Sequence, residues 1–564
     1  IVAMIYAYGL QDLDTALLAA DRAVAVESES EGLASLLRAQ LRTRAGDAAG
    51  AVADYSSLLS RADQVNLSLS ALVDALRFRW DRELERDHFD DLDTQYEQGR
   101  TLLGQPEDPL ELADWNLRYV TMLRAADRRT DARRIAEATV ELAPEDPNVW
   151  LAVGITRYVG GDLDAAEEAL RTSLSYDDSI AQTWAVLGQL ETERAGNDVT
   201  VGSQQDPALY EPALAAFDAA LDRDADNYDA LTGKANILLS FNRYDETEEL
   251  AARAITRQPQ GGLPHFLLGV VTMFRDRRWA EAAQYFERGL RDPQVTGNYL
   301  YGEALYRIGE YDRALTAARA AEDEPHHLAG AIALQARTLG TLQQYEAAEA
   351  ELARLAARGE EVTALVPFAR AQLAVHQDDL RTALRHADEA VDALADHGLF
   401  GLPGGPAEVF AMRATIRRAL GQGQGAFEDL MTATQLDPRN PSHHRDLGRL
   451  LAAARHFEPA AASFARWVEL RPRDVDALEA RAMAFLQLEP PNYRAAYDDL
   501  TRVLSLDPEC HEARMSRGEI ILNAMQEPER VLAEMQTILD DQPDNLRALY
   551  MRAASRLRMG QHQA

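Results

Sequence analysis

The chain has 564 residues, too many for one hydrophobic core, so several domains or a repeat array are expected. Its 58 basic residues stand against 92 acidic ones, a net charge of −34 that speaks against a general binder of nucleic acid or of an anionic membrane surface. No stretch approaches the roughly 18 consecutive apolar residues of a membrane span, and the single cysteine, Cys510, excludes an intrachain disulfide. Lys234 is the only lysine, which reads as a codon-composition bias rather than a site.

Taken in order, IVAMIYAYGL is too short to span a membrane and fits a helical register. With no initiator Met and no signal-peptide pattern, Ile1 reads as the start of a processed, truncated or partial chain. An incomplete first repeat is expected, with Ala16, Ala20 and Ala23 on its second helix. Gly46, Asp47, Ala51 and Tyr55 mark the next. Residues 61–110 are less regular, with helical patterns over Leu67–Arg86 and Phe89–Leu103, and read as one degenerate repeat. From Leu110 the register is clear. The small residues Gly154, Gly188, Ala235, Gly269, Gly302, Ala336, Ala371, Ala414, Gly448, Ala482, Gly518 and Ala553 recur on first helices. Ala132, Ala166, Ala213, Thr247, Ala282, Ala314, Ala348, Ala383, Ala426, Ala460, Ala496 and Val531 recur on second helices. Closely crossing helices need small residues at the contact. Larger apolar residues four places on, such as Phe217, Phe286, Leu430, Phe464 and Leu500, are expected to fill the remaining gap.

Two segments interrupt the pattern. One is Ala195 to Leu209, an insertion inside a repeat; the other is His397 to Pro406, a loop between repeats that carries Leu399, Phe400 and Leu402. Leu546 to Met559 is a lone helix, expected to cap the array, with Arg547, Arg552, Arg556 and Arg558 as its polar side. The expected organisation is 1–60 as N-terminal repeats, 61–110 degenerate, 111–396 a central array broken by 195–209, and 397–406 a loop. A C-terminal array over 407–545 and a capping helix and tail over 546–564 complete it.

The spacing is clearest in Pro441 to Asp474, PSHHRDLGRLLAAARHFEPAAASFARWVELRPRD, after which the design begins again. A period of about 34 residues read as helix–turn–helix, with Trp184, Leu187 and Gly188, then Ala213 and Phe217, then Ala460, Phe464 and Pro472, resembles the tetratricopeptide repeat family over nearly the whole chain. Pro144, Pro259, Pro438, Pro508 and Pro543 end second helices, as proline does. The resemblance implies an all-α, right-handed superhelical solenoid of about 14 or 15 helical hairpins.

It also implies that first helices line a concave face. That face is polar at Asp229, Thr232, Asn236 and Ser240. It turns apolar at Leu263, Phe266, Val270, Met273 and Phe274, joined by Tyr299, Glu303, Tyr306 and Phe368. Leu151, Ile155, Tyr158 and Val159 form a similar patch, and Arg445, Arg449, Asp476, Glu479, Glu512 and Glu519 a charged stretch. The nine residues from Leu263 to Phe368 are the candidate partner-binding set, a groove for a helix or extended peptide; the bland alternative is packing between neighbouring helices. A lysine–asparagine clamp of the kind some family members use for a partner's C-terminal carboxylate is not reproduced with Lys234 alone.

The adjacent pairs His326–His327 and His443–His444 point about 100° apart on a helix and make poor bidentate metal sites. GQGQG at Gly421–Gly425 reads as a turn, and no nucleophile partner is placed for Cys510. No cofactor, metal or catalytic residue is therefore expected. The reading is a non-catalytic protein–protein interaction scaffold whose partners are proteins or peptides, without nucleic acid or membrane insertion. A structural subunit of a larger assembly, with self-association, and the regulatory array of a larger enzyme are the alternatives.

Overall fold

The computed structural model describes residues 12–27, 32–60, 92–103, 109–196, 206–324, 327–359, 364–397 and 405–561. The expected helix over Leu67–Arg86, most of both interruptions, His326 and the start of the first repeat lie outside these residues. Among them the chain forms twenty-nine α-helices and no strand. It divides into two compact units, Ile1–Pro259 and Gln260–Ala564.

The first unit opens with α1 (Leu13–Val24), the hairpin α2 (Leu33–Arg44) and α3 (Ala48–Leu59), and α4 (Leu92–Leu103). Four hairpins follow: α5 (Pro109–Ala125) with α6 (Arg129–Thr139), α7 (Pro147–Val159) with α8 (Leu163–Tyr176), α9 (Ala181–Ala195) with α10 (Glu211–Arg223), and α11 (Tyr228–Ser240) with α12 (Tyr244–Arg257). The second unit continues with α13 (Gly262–Phe274) on α14 (Trp279–Gly289), α15 (Asn298–Arg307) on α16 (Tyr311–Ala320), α17 (Leu328–Thr341) on α18 (Tyr345–Ala356), and α19 (Leu365–His376) on α20 (Leu380–His397). Then come α21 (Pro406–Ala419) on α22 (Gly423–Leu436), α23 (Pro441–Ala453) on α24 (Phe457–Leu470), α25 (Val475–Leu486) on α26 (Tyr493–Leu506), α27 (His511–Ile520) on α28 (Pro528–Asp541), and the single helix α29 (Leu546–Arg558). Within each unit most helices also pack on the one that follows, so each unit is an all-α solenoid of tandem hairpins.

The local sequence explains the helix ends. Several first helices open on an Asp or Asn cap, followed by proline in two: Asp146 accepts from Asn148 N at 2.8 Å, and Asn440 from Ser442 N at 3.1 Å. Second helices open similarly, as where Asn492 accepts from Ala495 N at 3.1 Å. Between the two helices most hairpins place one residue in the left-handed region. It is a glycine at Gly161 (φ 79°), but Asp127, Asn242 and Arg455 take the same conformation, so the turn is imposed by the helix packing as well as by residue type.

The small residues sit where the spacing places them. All twelve second-helix positions from Ala132 to Val531 are fully buried. On the first helices the space beside each glycine is already taken by the facing side chain. A Cβ on Gly188 would lie 2.6 Å from Phe217 Cε1, one on Gly269 2.7 Å from Phe286 Cδ1, and one on Gly154 2.7 Å from Leu170 Cγ. Gly233 of the next hairpin approaches the same Phe217 ring, where a Cβ would lie 2.4 Å from Cζ. Ala553 is the exception. It is exposed, because no helix after α29 among the described residues packs on it.

The contact is therefore steric, and substitution tests it. Gly188→Ala should lower the urea midpoint of the helical signal, with a cost of about 1–3 kcal/mol for overpacking. In a Phe217→Ala background the same change should cost little or stabilise, since Ala is the better helix former. A double-mutant cycle read by circular dichroism gives the coupling, and additive effects would contradict this packing.

Candidate functional site

The apolar stripe of α13 combines residues spaced three and four apart on one helix face. Val270 and Met273 are buried within it, while Leu263, Phe266 and Phe274 remain partly exposed. Phe266 leans on Phe286 with ring centres 5.4 Å apart. Tyr299 and Glu303 of α15 and Phe368 of α19 are buried, and Tyr306 is half-buried. The nine candidates are thus split: five form a packed layer, and four reach solvent. In the first unit Leu151, Ile155 and Tyr158 are likewise half-buried, and burial beside Glu193 pushes the Tyr158 hydroxyl up to about 12.

Beneath the aromatic residues of the second unit lies an ion-pair layer. The Arg337 guanidinium donates to Glu303 Oε1 at 2.5 Å, and both side chains are almost wholly buried. It also stacks on the Tyr306 ring at 4.7 Å and the Phe368 ring at 5.9 Å. Burial works against the charge on Arg337, but Glu303 more than offsets it and holds the guanidinium's pKa above its ordinary value. Glu303 Oε2 and Arg337 Nε make no hydrogen bond, so the pair is held by one strong contact and by the rings around it.

A second set of pairs joins hairpins far apart in sequence. Arg307 of α15 lies 3.0 Å from Glu408 of α21, and its guanidinium covers the Trp279 ring at 5.2 Å. Arg277, in the turn after α13, pairs with Asp437 at the end of α22, and its carbonyl accepts from Arg471 at 2.8 Å. Those partners are 160 and 194 residues away. Repeats of the second unit therefore touch more than their sequence neighbours, which simple stacking of hairpins does not predict. Burial opposes ionisation of Glu408, but Arg307, His443, Arg277 and Arg337 outweigh it and hold its carboxyl below the usual range.

The remaining polar candidates are structural. His443 is buried against Asn440 Nδ2 at 3.1 Å, and His444 Nε2 lies 2.9 Å from Pro438 O; together they brace the junction before α23 instead of standing in solvent. Burial pushes the His443 imidazole's pKa down despite Glu408 and Asp437. Cys510 donates to Glu479 Oε1 at 2.9 Å, and burial and that carboxylate push its thiol up, away from a reactive thiolate. Among the described residues no group of three His, Cys, Asp or Glu side chains is arranged to hold a metal, and no helix is long and apolar enough to cross a membrane.

One recurring feature is absent from the candidate set. The arginine just before the small first-helix residue bonds the acid three places after the small second-helix residue. Arg413 meets Asp429 at 2.7 Å, Arg481 meets Asp499 at 2.6 Å, Arg38 meets Asp54, and Arg517 meets Glu534. Its trace in the sequence is an Arg–Ala or Arg–Gly step in register with an acid, visible once two repeats are superposed.

A family model described as Tetratricopeptide repeat matches residues 120–180, 209–262 and 274–325, in register with these hairpins. These three segments are tetratricopeptide repeats. Among solved structures it is similar to the APC/C hetero-tetramer Cut9–Hcn1, at 14% identity and a TM-score of 0.32 over 86% of this chain and 95% of that one. It is also similar to the C-terminal part of a repeat-containing protein from Cytophaga hutchinsonii, at 14% identity and a TM-score of 0.35 over 45% of this chain and 98% of that one. No curated relative matches.

The buried pair of this repeat protein makes a sharp test. Arg337→Met strands the Glu303 carboxylate in the interior and should cost about 3–5 kcal/mol, whereas Glu303→Leu/Arg337→Met should recover most of it; urea unfolding compares them. Glu408 gives a pH test. Its folded pKa is depressed, so its stabilisation is present above the unfolded carboxyl value and is lost as pH falls through the folded one. Glu408→Gln should therefore flatten the acid limb of a melting-temperature profile below about pH 4.

Proposed function

We propose that this chain is a protein–protein interaction scaffold, without catalysis of its own, that holds a partner segment along the first-helix face of its second unit. Tandem repeats of this family support a scaffold in general. The finer reading rests on one observation: Leu263, Phe266, Phe274 and Tyr306 are left partly exposed above a layer of buried side chains. Val270, Met273, Tyr299, Glu303 and Phe368 fix that layer and act as support, not as contacts. Aromatic rings held from beneath offer large contact area at low entropic cost. The residues at either end of the α13 stripe, Leu263 and Phe274, are eleven positions apart and share a face, so a segment about 16 Å long would meet both.

A second reading, a subunit joined to others through its edges, is favoured by α29. Its Arg547 reaches back to Glu519 at 2.7 Å and its Arg558 to Asn523 at 3.1 Å. The face turned outward carries Leu546, Tyr550 and Leu557, which are 81%, 72% and 64% exposed. This apolar row at helical spacing lacks a partner helix among the described residues.

Affinity capture with the full chain should recover a protein that Leu263→Asp/Phe274→Asp loses while circular dichroism stays unchanged; retention of that protein would remove the α13 face from the proposal. Sedimentation velocity addresses the second reading. Association that rises with concentration and disappears in Leu546→Asp/Tyr550→Asp would favour it, and a monomer at all concentrations would count against it.

A further inference from the structure

The second unit contains a cavity of about 270 Å³ where its first hairpin meets two later junctions. Arg275 and Arg278 enter it from the turn after α13, Arg439 from the junction before α23, and Arg471 from the end of α24. Asp276 is the one carboxylate among its lining side chains, with Pro441 and Leu470 as apolar wall. In a chain of net charge −34, four guanidiniums on one small space are a local reversal.

The neighbouring acids are already engaged. Asp276 is shared by Arg275 and Arg278, each at 2.7 Å, and Glu281 is taken by Arg278 at 2.6 Å. Asp437 holds Arg277, while Asp474 caps α25 through Ala477 N at 3.2 Å and accepts from Trp467 at 3.1 Å. Arg439 makes no hydrogen bond or ion pair among the described residues and stands exposed at the rim. Arg471 donates only to the Arg277 carbonyl and pairs with no carboxylate there. Burial and the neighbouring guanidinium of Arg278 push the Arg471 pKa down, against the pull of Asp276 and Asp474. The adjacent Arg277 is buried with its Nε and Nη1 unbonded. Donors are in excess on every side of this space, and like charges so placed repel unless an anion joins them.

We propose that this cavity is a binding site for a phosphate-class dianion, gripped by Arg439 and Arg471 with Arg275 and Arg278 behind them. Guanidiniums arriving from three separate segments suit a tetrahedral oxyanion, which accepts hydrogen bonds from several directions. A bound dianion would bridge the turn after α13 to the α22–α23 and α24–α25 junctions, and so brace the contact that Arg277 makes with Asp437. The phosphate is either free or carried on a protein side chain; the recognition chemistry is the same.

Isothermal titration of the full chain with inorganic phosphate, at fixed ionic strength, tests the site. Saturable binding is expected. Arg439→Glu, at an exposed residue without partners, and Arg471→Ala should each weaken it by at least about tenfold, the cost of losing a charge-assisted contact. Replacing the distant exposed Arg288 by Ala should leave it unchanged. A phosphoserine peptide that binds more tightly than inorganic phosphate, while its unphosphorylated form does not bind, identifies a protein-borne phosphate as the source. Equal or weaker binding of the peptide identifies the free anion. No saturable phosphate binding, or binding that Arg439→Glu leaves intact while circular dichroism confirms folding, overturns the proposal.

Discussion

The structure depends on how closely two helices can approach within each hairpin. Gly188 of α9 and Gly233 of α11 both press on the ring of Phe217, so one aromatic side chain locks three helices from two repeats. Gly448 and Phe464 repeat the arrangement near the other end of the array, and Gly269 and Phe286 in its middle. Because nothing larger than glycine fits opposite the ring, the helix spacing is set by sterics rather than by the strength of any attraction. The 34-residue period is the sequence image of that constraint, repeated.

Charge has a different role. Within hairpins the arginine–acid contacts are short-range, and they tie helices that apolar packing already holds. Across the second unit, Arg307–Glu408 and Arg277–Asp437 join hairpins that helix stacking alone would not bring together. Buried ion pairs are poor sources of net stability, since desolvation consumes much of the Coulomb gain. What they supply here is register: Glu303 and Arg337 are matched by position, and any slip by one residue would bury each charge alone.

This division explains what the sequence disclosed. Helix order, hairpin boundaries and the buried small positions were legible because each depends on residues three, four or 34 places apart. The apolar stripe of α13 was legible as a stripe, but not its division into the buried Val270 and Met273 and the accessible Leu263 and Phe274. Burial there depends on how the unit curves, which is a sum of small rotations that no single repeat encodes. For the same reason Arg277 and Arg471 gave no sign of being neighbours, being 194 residues apart and in turns of ordinary composition. His443 and His444 were readable as a poor metal site, but not as buried braces of a junction, since their partners Asn440 and Pro438 form no recognisable motif. Ala553 follows the register yet lies exposed, because periodicity marks a contact position whether or not a second helix is there to fill it.

The contact across the second unit bears on how such a scaffold can bind. A solenoid whose repeats touch only their neighbours can open and close elastically around a ligand, each junction contributing a little. Once the turn after α13 is tied to the ends of α22 and α24, bending at any junction between them must break that tie or be matched by an opposite bend elsewhere. The hairpins from α13 to α24 then move as one body. On the proposed reading, a partner on the α13 face would meet a preformed surface, with less ordering to supply on binding and less capacity to adapt. Selectivity in that case comes from fit to fixed aromatic positions, and control of binding lies in whatever strengthens or weakens the tie. The arginine-lined cavity sits at that tie and not on the α13 stripe, so an anion there would act on the stiffness of the scaffold without competing for its partner.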